Sequence, residues 1–211
     1  MTNPPDRHSR PARQRDRHHV PPGTGTFGMF LMLASLGMLF AASMLAYILI
    51  RTGLVLPEDA AIPPAGAIEL PRLLWVSTAL ILASSFTIHR AAESLRHERQ
   101  TRFRSSMTLT LLLAGAFLLV QTPSLASLLR EHFALVEAGG DLRLYGLVFF
   151  FILVHALHVV GGVLPLTITT VRAHRGAYDH EHYRPVQYLA MYWHFLDVVW
   201  LVMFGTFLTL G

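Results

Sequence analysis

The sequence contains no cysteine and no lysine, and only 14% of its 211 residues are charged. Without cysteine the chain has no disulfide, thiolate metal site, iron–sulfur cluster or cysteine nucleophile. All 17 basic residues are arginine, and the hydrophobic content of 53% is too high for an ordinary soluble domain. The composition therefore predicts a membrane protein whose arginines report its topology.

Five long apolar stretches occupy most of the chain. Four of them exceed the roughly 20 residues that an α-helix needs to cross about 30 Å of hydrocarbon. The second stretch is shorter, but Arg72 and Arg90 at its ends can extend their guanidinium groups to the membrane surface. We therefore predict an all-α polytopic membrane bundle with five transmembrane helices, at 27–50, 73–88, 105–129, 144–171 and 185–211.

The first 26 residues have a different composition, with five arginines, three histidines and five prolines. A segment with so few apolar residues cannot bury enough surface to fold alone. We predict a disordered basic tail at 1–26 and a five-helix membrane domain at 27–211.

The arginines lie mostly on one side of the predicted helices. The tail and the loops at 89–104 and 172–184 hold 13 arginines, whereas the other two loops hold four. Because arginine-rich segments stay in the cytoplasm, this bias predicts a cytoplasmic N-terminus and a C-terminus outside.

The last predicted helix carries a carboxylate at membrane depth. Asp197 follows His194 by three residues, and the preceding helix contains His155 and His158 at the same spacing. Each pair lies on one face of its helix, so the two faces can meet in the bundle. An ionisable side chain in the membrane costs about 2.5–3.5 kcal/mol on insertion scales, so it indicates a functional or architectural role.

Three interpretations fit these four residues. In the first, the four residues form a structural cluster of hydrogen bonds between helices, each of which contributes about 1 kcal/mol to stability. Alternatively, three imidazoles and a carboxylate on facing helices are suitable ligands for a metal or haem. Histidine and aspartate inside a membrane are also the usual carriers of a proton relay. The spacing alone does not separate these interpretations.

The sequence around these residues resembles a known family. Residues 192–200 read Tyr-Trp-His-Phe-Leu-Asp-Val-Val-Trp, which is similar to the Y-W-H-F-x-D-V-V-W signature of subunit III of the haem–copper cytochrome c oxidases. The resemblance runs from about residue 27 to the C-terminus and fits the short five-helix bacterial form. Further matches are 155–161 to H-x-L-H-V-x-x-G, 63–66 to the P-P-x-G loop, the pair Ser84 and Ser85, and Gln121.

The resemblance implies a subunit with no haem or copper of its own, since in the family these belong to subunits I and II. It implies a multi-pass protein of the bacterial inner membrane that packs against subunits I and II, binds phospholipid and has no nucleic-acid partner. Its implied role is to support assembly, stability and proton uptake of the catalytic subunit in aerobic respiration. The resemblance assigns no catalytic residue to this chain and favours the structural interpretation of the four residues.

The chain departs from the family at Leu36 and Ser124, where the family has glutamates in the membrane. This departure leaves open a divergent branch that serves a nitric oxide reductase-type enzyme. An alternative of another class is an independent membrane cytochrome that uses His155, His158 and His194 as haem ligands.

Overall fold

The computed structural model describes residues 24–54, 73–137, 143–176, 178 and 183–210. Each helix in this part of the chain corresponds to one of the predicted apolar stretches and is long and apolar enough to cross a membrane. The prediction of an all-α bundle with five membrane-crossing helices is confirmed. The helices are α1 (Thr24–Arg51), α2 (Leu73–Arg96), α3 (Gln100–Glu137), α4 (Arg143–His174) and α5 (Arg184–Leu210).

The observed helix ends differ from the predicted ones. Helix α1 begins at Thr24, slightly before the predicted boundary, and the rest of the predicted tail lies outside the described residues. The P-P-x-G segment at 63–66 lies outside them as well. Helix α2 continues past Ile88 to Arg96, because the sequence there is rich in good helix formers. Its 24 residues therefore reach about 36 Å, which is enough to cross the membrane.

Four of the helices form a closed ring. Helix α2 packs against α3, α3 against α4, α4 against α5, and α5 packs back against α2. Helix α1 lies outside this ring and packs against α4 and α5. The order around the ring follows the order along the chain, as expected when antiparallel neighbours are joined by short connections.

A tight turn joins α2 to α3. Glu98 adopts a φ of 58°, which is the left-handed conformation that glycine usually supplies at the end of a helix. The amide of Arg99 donates to the carbonyl of Ser94 at 2.9 Å, and the amide of Glu98 donates to that of Leu95 at 3.2 Å. These two bonds form the Schellman pattern, which satisfies the last carbonyls of α2 and directs the chain back along α3.

Helix α5 contributes to all three clusters of buried apolar side chains. The first cluster lies at the end of the ring near the α2–α3 turn, the second lies further along the ring, and the third joins α1 to α4 and α5. The 192–200 stretch is therefore at the centre of the packing. Representative members are Ile88, Phe103, Leu166 and Trp193 in the first cluster, Ile81, Phe117 and Trp200 in the second, and Phe40, Tyr47 and Met203 in the third.

Candidate functional site

Both tryptophans of the 192–200 stretch donate hydrogen bonds to hydroxyl groups of α2. The indole nitrogen of Trp193 donates to Ser84 Oγ at 2.9 Å, and that of Trp200 donates to Thr78 Oγ1 at 3.0 Å. Each hydroxyl in turn donates to a carbonyl of its own helix, at 2.7 Å in both cases, so its lone pairs are free to accept the indole N–H. The serine and threonine of α2 thereby satisfy two buried donors that would otherwise be costly in hydrocarbon.

His194 and Asp197 also lie on the α2 side of α5. Ser85 Oγ and His194 Nδ1 are joined by a hydrogen bond of 2.6 Å, and Asp197 Oδ2 lies 4.0 Å from the same nitrogen. The Asp197 side chain is only 5% exposed. The Ser85 hydroxyl faces its carboxyl group, but neither carboxyl oxygen has a hydrogen-bond partner among the described residues. We refer to Thr78, Ser84, Ser85, Trp193, His194, Asp197 and Trp200 as the α2–α5 interface.

His155 and His158 lie among aromatic rings of α1 and α5. The His155 ring is 5.4 Å from that of Trp200 and 6.2 Å from that of Phe40, measured between centroids. Neither of its nitrogens has a hydrogen-bond partner within the described part of the chain. His158 Nδ1 lies 2.7 Å from the carbonyl oxygen of Val154, one turn earlier in α4.

The four predicted site residues therefore form two pairs rather than one cluster. Among the described residues, no hydrogen bond or ion pair joins His194 or Asp197 to His155 or His158. The side chain of α5 that lies beside the His155 ring is Trp200. The described residues also contain no group of three histidine, aspartate or glutamate side chains that could hold a metal ion. The three-imidazole ligand set is not assembled in this arrangement.

Close contact between α4 and α5 depends on one glycine. A Cβ atom on Gly162 would lie 2.8 Å from the ring of Tyr192 and 3.3 Å from that of Trp193. The Tyr192 ring lies over Gly162, and its hydroxyl donates to the carbonyl of His158 at 2.9 Å. Gly161 has no atom within 4 Å of its corresponding position. Of the two adjacent glycines, only Gly162 is required for the helices to approach.

His89 lies beside the α2–α5 interface, although it belongs to none of the sequence motifs. Its ring lies 6.0 Å from that of His194, and both side chains line a groove of about 350 Å³ between α2 and α5. The groove opens among charged side chains at the end of the bundle near the α2–α3 turn, including Glu93 and Arg96. His89 follows Ser85 by four residues, so helical periodicity would have placed the two on one face of α2.

Comparison with known proteins agrees with the resemblance in the sequence. The family model for cytochrome c oxidase subunit III matches residues 13–211. The chain is 30% identical to cytochrome c oxidase subunit 3 of Synechocystis sp. over 190 residues, which cover 89% of this chain and 76% of that protein. It is 30% identical to cytochrome bo(3) ubiquinol oxidase subunit 3 of Pseudomonas aeruginosa over 200 residues, covering 93% and 90%. The human cytochrome c oxidase subunit 3 is also 30% identical, over 195 residues that cover 89% and 70%.

These relatives differ in the electron donor that their names state, but each is the third subunit of its oxidase. The family match includes all five described helices and the 192–200 stretch of α5. The chain therefore belongs to the cytochrome c oxidase subunit III family and is a subunit III of a haem–copper oxidase of the respiratory chain.

Proposed function

We propose that this chain is the non-redox subunit III of a bacterial terminal oxidase and packs against subunits I and II, which carry the haem and copper. Its role in aerobic respiration is to support the assembly and stability of the catalytic subunit. One observation carries the proposal: the polar side chains of the most specific motif form four hydrogen bonds to neighbouring helices, three to α2 and one to α4. These hydrogen bonds join α5 to two neighbouring helices at separate points.

In this proposal His155, His158, His194 and Asp197 are structural groups of the bundle. Hydrogen bonds between membrane helices contribute about 0.6–2 kcal/mol each, so the motif stabilises the position of α5 by several such contacts. The Asp197 carboxyl group is buried inside this chain, and its oxygens have no hydrogen-bond partner among the described residues. Its nearest charged or polar ring is that of His194, at 4.0 Å, so the pair contributes to the α2–α5 interface from within the bundle.

The chain lies in the bacterial inner membrane, with its N-terminus in the cytoplasm and its C-terminus outside. The arginine distribution supports this orientation. Two contacts also place the α2–α3 turn and the segment between α4 and α5 at the same end of the bundle. Thr108 bonds to His174 at 2.9 Å, and Gln100 donates to the carbonyl of Tyr178 at 3.1 Å. The two arginine-rich loops thus face the same compartment.

Copurification from native membranes tests the proposal. A tagged chain should bring down a large haem-containing subunit in a one-to-one ratio, and the complex should reduce oxygen. The isolated chain should show no Soret absorption band. Stoichiometric haem in the isolated chain would support the independent membrane cytochrome, and nitric oxide reduction by the complex would support the reductase-type branch.

A second candidate function is proton transfer, and the groove between α2 and α5 favours it. The groove reaches His194, whose Nδ1 lies 4.0 Å from the buried Asp197 carboxyl group. His89 lies between this pair and the charged end of the groove. Histidine and aspartate in such a series are suited to carrying protons from water into a bundle. An Asp197→Asn variant that assembles normally but loses proton-coupled turnover would establish this function in place of the structural one.

A further inference from the structure

The interior of the ring contains two polar side chains that none of the hydrogen bonds described above satisfies. Gln121 of α3 is 4% exposed, and His155 of α4 is 1% exposed. Among the described residues, neither the amide oxygen and nitrogen of Gln121 nor the two ring nitrogens of His155 have a hydrogen-bond partner. Both residues lie in the membrane-crossing part of their helices, where a buried polar group without a partner is costly. Neither of them lines the groove between α2 and α5.

Gln121 and His155 lie at the same level of the ring. Phe117 of α3 and Val159 of α4 both belong to the second cluster of buried apolar side chains. Gln121 follows Phe117 by one helical turn and lies on the same face of α3, and His155 precedes Val159 by one turn on the same face of α4. Because α3 and α4 are antiparallel neighbours, both steps lead toward the same end of the bundle. The two polar side chains therefore face the ring interior one turn beyond this apolar cluster.

The Trp200 indole of α5 packs against both α3 and α4 at this level. Its ring centroid lies 5.5 Å from that of Phe117 and 5.4 Å from that of His155. The indole N–H donates to the Thr78 hydroxyl, and this hydroxyl donates to a carbonyl of its own helix. The donors of Trp200 and Thr78 are therefore already used and are not available to the unpartnered imidazole.

We propose that a buried water molecule bridges Gln121 and His155 and so joins α3 to α4. The two side chains do not bond to each other directly, and polar groups beyond direct hydrogen-bond distance are commonly joined by water. A neutral imidazole has one donor and one acceptor nitrogen, and an amide has groups of both kinds, so water can donate to one side chain and accept from the other. A buried water typically bonds to about three otherwise unsatisfied polar groups, and this pair offers four such atoms.

Solid-state NMR of the full chain in phospholipid bilayers tests the site by transfer of magnetisation from water. Glutamine side chains carry nitrogen-15 and valine methyl groups carry carbon-13, and the Gln121 signal is assigned from its loss in Gln121→Leu. We expect the Gln121 amide to gain signal from water at a short mixing time. The methyl groups of Val159, which is 1% exposed and one turn from His155, are the internal control and should gain none. A Gln121 amide that gained as little signal as Val159 would overturn the inference.

A double-substitution cycle measures whether the two side chains share the water. Gln121→Leu and His155→Leu each leave the other polar group without its partner, so each should lower the melting temperature by at least about 4 °C. The double variant removes both polar groups and should melt no lower than the less stable single variant. Thr122→Val is the matched control, because its hydroxyl bonds to a carbonyl on the exposed side of α3. Its effect should add to that of His155→Leu.

The inference rests on the structural role proposed for His155, and the measurements separate the two. Additive losses in the cycle would overturn the water site, because each side chain would then be stabilised separately. Coupled losses without transfer from water would also overturn it, because the side chains would then bond to each other directly. A Soret band in the isolated chain would instead overturn the structural role itself. A chain without that band whose Gln121 amide receives no signal from water would reject the water site alone.

Discussion

The Asp197 side chain is a buried carboxyl group at membrane depth, where an ionisable group is costly. It is almost completely buried, and its polar neighbours there are His194, at 4.0 Å, and the Ser85 hydroxyl. Leucine at this position would leave His194 and Ser85 facing an apolar side chain, whereas asparagine keeps groups that donate and accept hydrogen bonds. Substitutions of Asp197 therefore test whether polar contacts at the α2–α5 interface stabilise the subunit.

We predict that Asp197→Leu lowers the amount of assembled oxidase, while Asp197→Asn assembles nearly as well as the parent. Each lost polar contact between helices should cost about 1 kcal/mol. Quantitative blue-native electrophoresis of detergent extracts measures the assembled fraction. If Asp197→Leu assembled and turned over like the parent, neither the structural nor the relay function of this residue would hold.

Gly162 and Gly161 are adjacent glycines at which an alanine would add the same methyl group in different surroundings. We predict that Gly162→Ala lowers the free energy of unfolding of the subunit by about 1–3 kcal/mol, and with it the melting temperature, because the new Cβ would overlap the ring of Tyr192. Gly161→Ala should be neutral or stabilise α4 by up to about 1 kcal/mol, because its position is open. Thermal melts followed by tryptophan fluorescence compare the two, and equal melting temperatures would contradict the prediction.

The sequence could predict which of the candidate residues share a face of one helix, but not which residues of other helices they contact. The i, i+3 spacing placed His194 with Asp197 and His155 with His158, and the structure has each of these pairs on one stretch of helix. Helical periodicity determines only the direction in which a side chain points from the axis of its own helix. Which neighbour it meets depends on the order of helices in the bundle, so the contact of His194 with Ser85 was not predictable.

At the scale of elements, α5 is held to α2 by three side-chain hydrogen bonds at two levels along the helices, one at Ser84 and Ser85 and the other at Thr78. The donors and acceptors are spaced along both helices, so they fix the register of α5 as well as its rotation. Apolar packing alone is weak at specifying register in a membrane, because lipid is as apolar as the helix surface. The serine pair noted in the sequence therefore has two separate partners, Trp193 for Ser84 and His194 for Ser85.

We predict that Ser84→Ala destabilises the subunit by about 1 kcal/mol, because the buried Trp193 N–H then has no acceptor. For a protein of this length, this corresponds to about 2–4 °C in melting temperature. Ser35→Ala, on an exposed position of α1, is the matched control and should not change the melt. An equal effect of both substitutions would show that the hydrogen bond contributes nothing measurable.

The number and approximate extent of the helices followed from the sequence because the length of an apolar run is a strong constraint in a membrane. The 73–88 stretch alone is too short to cross about 30 Å of hydrocarbon as a straight α-helix. Helix α2 spans because it continues through Ala91 and Ala92 to Arg96, where its last turns are buried by Leu95 against α3. The charged residues of 89–96 interrupt the apolar pattern, so the pattern ends at Ile88 although the good helix formers that follow extend the helix.

At the scale of the whole molecule, charge determines how the bundle sits in the membrane. Eight arginines remain in the 89–104 and 172–184 loops when the N-terminal tail is removed, against four in the other loops. We predict that deletion of residues 2–20 leaves the topology unchanged, because this remaining bias still favours the same orientation. A compartment-specific reporter fused to the C-terminus measures it. A reporter active in the cytoplasm would show that the tail is the main determinant of orientation.

The position of α1 outside the ring has a consequence for biogenesis. Helix α1 is made first, yet its partners α4 and α5 are made last. At about 5–20 residues per second, several seconds pass between the release of α1 and the synthesis of its first partner. Throughout this interval α1 stands alone in lipid, which its span tolerates because 25–50 contains no charged residue. Helix α1 is thus the first helix to be synthesised, but it can pack only after α4 and α5 have been made. A nascent chain that stalls before α4 therefore carries a membrane helix without its intramolecular partners.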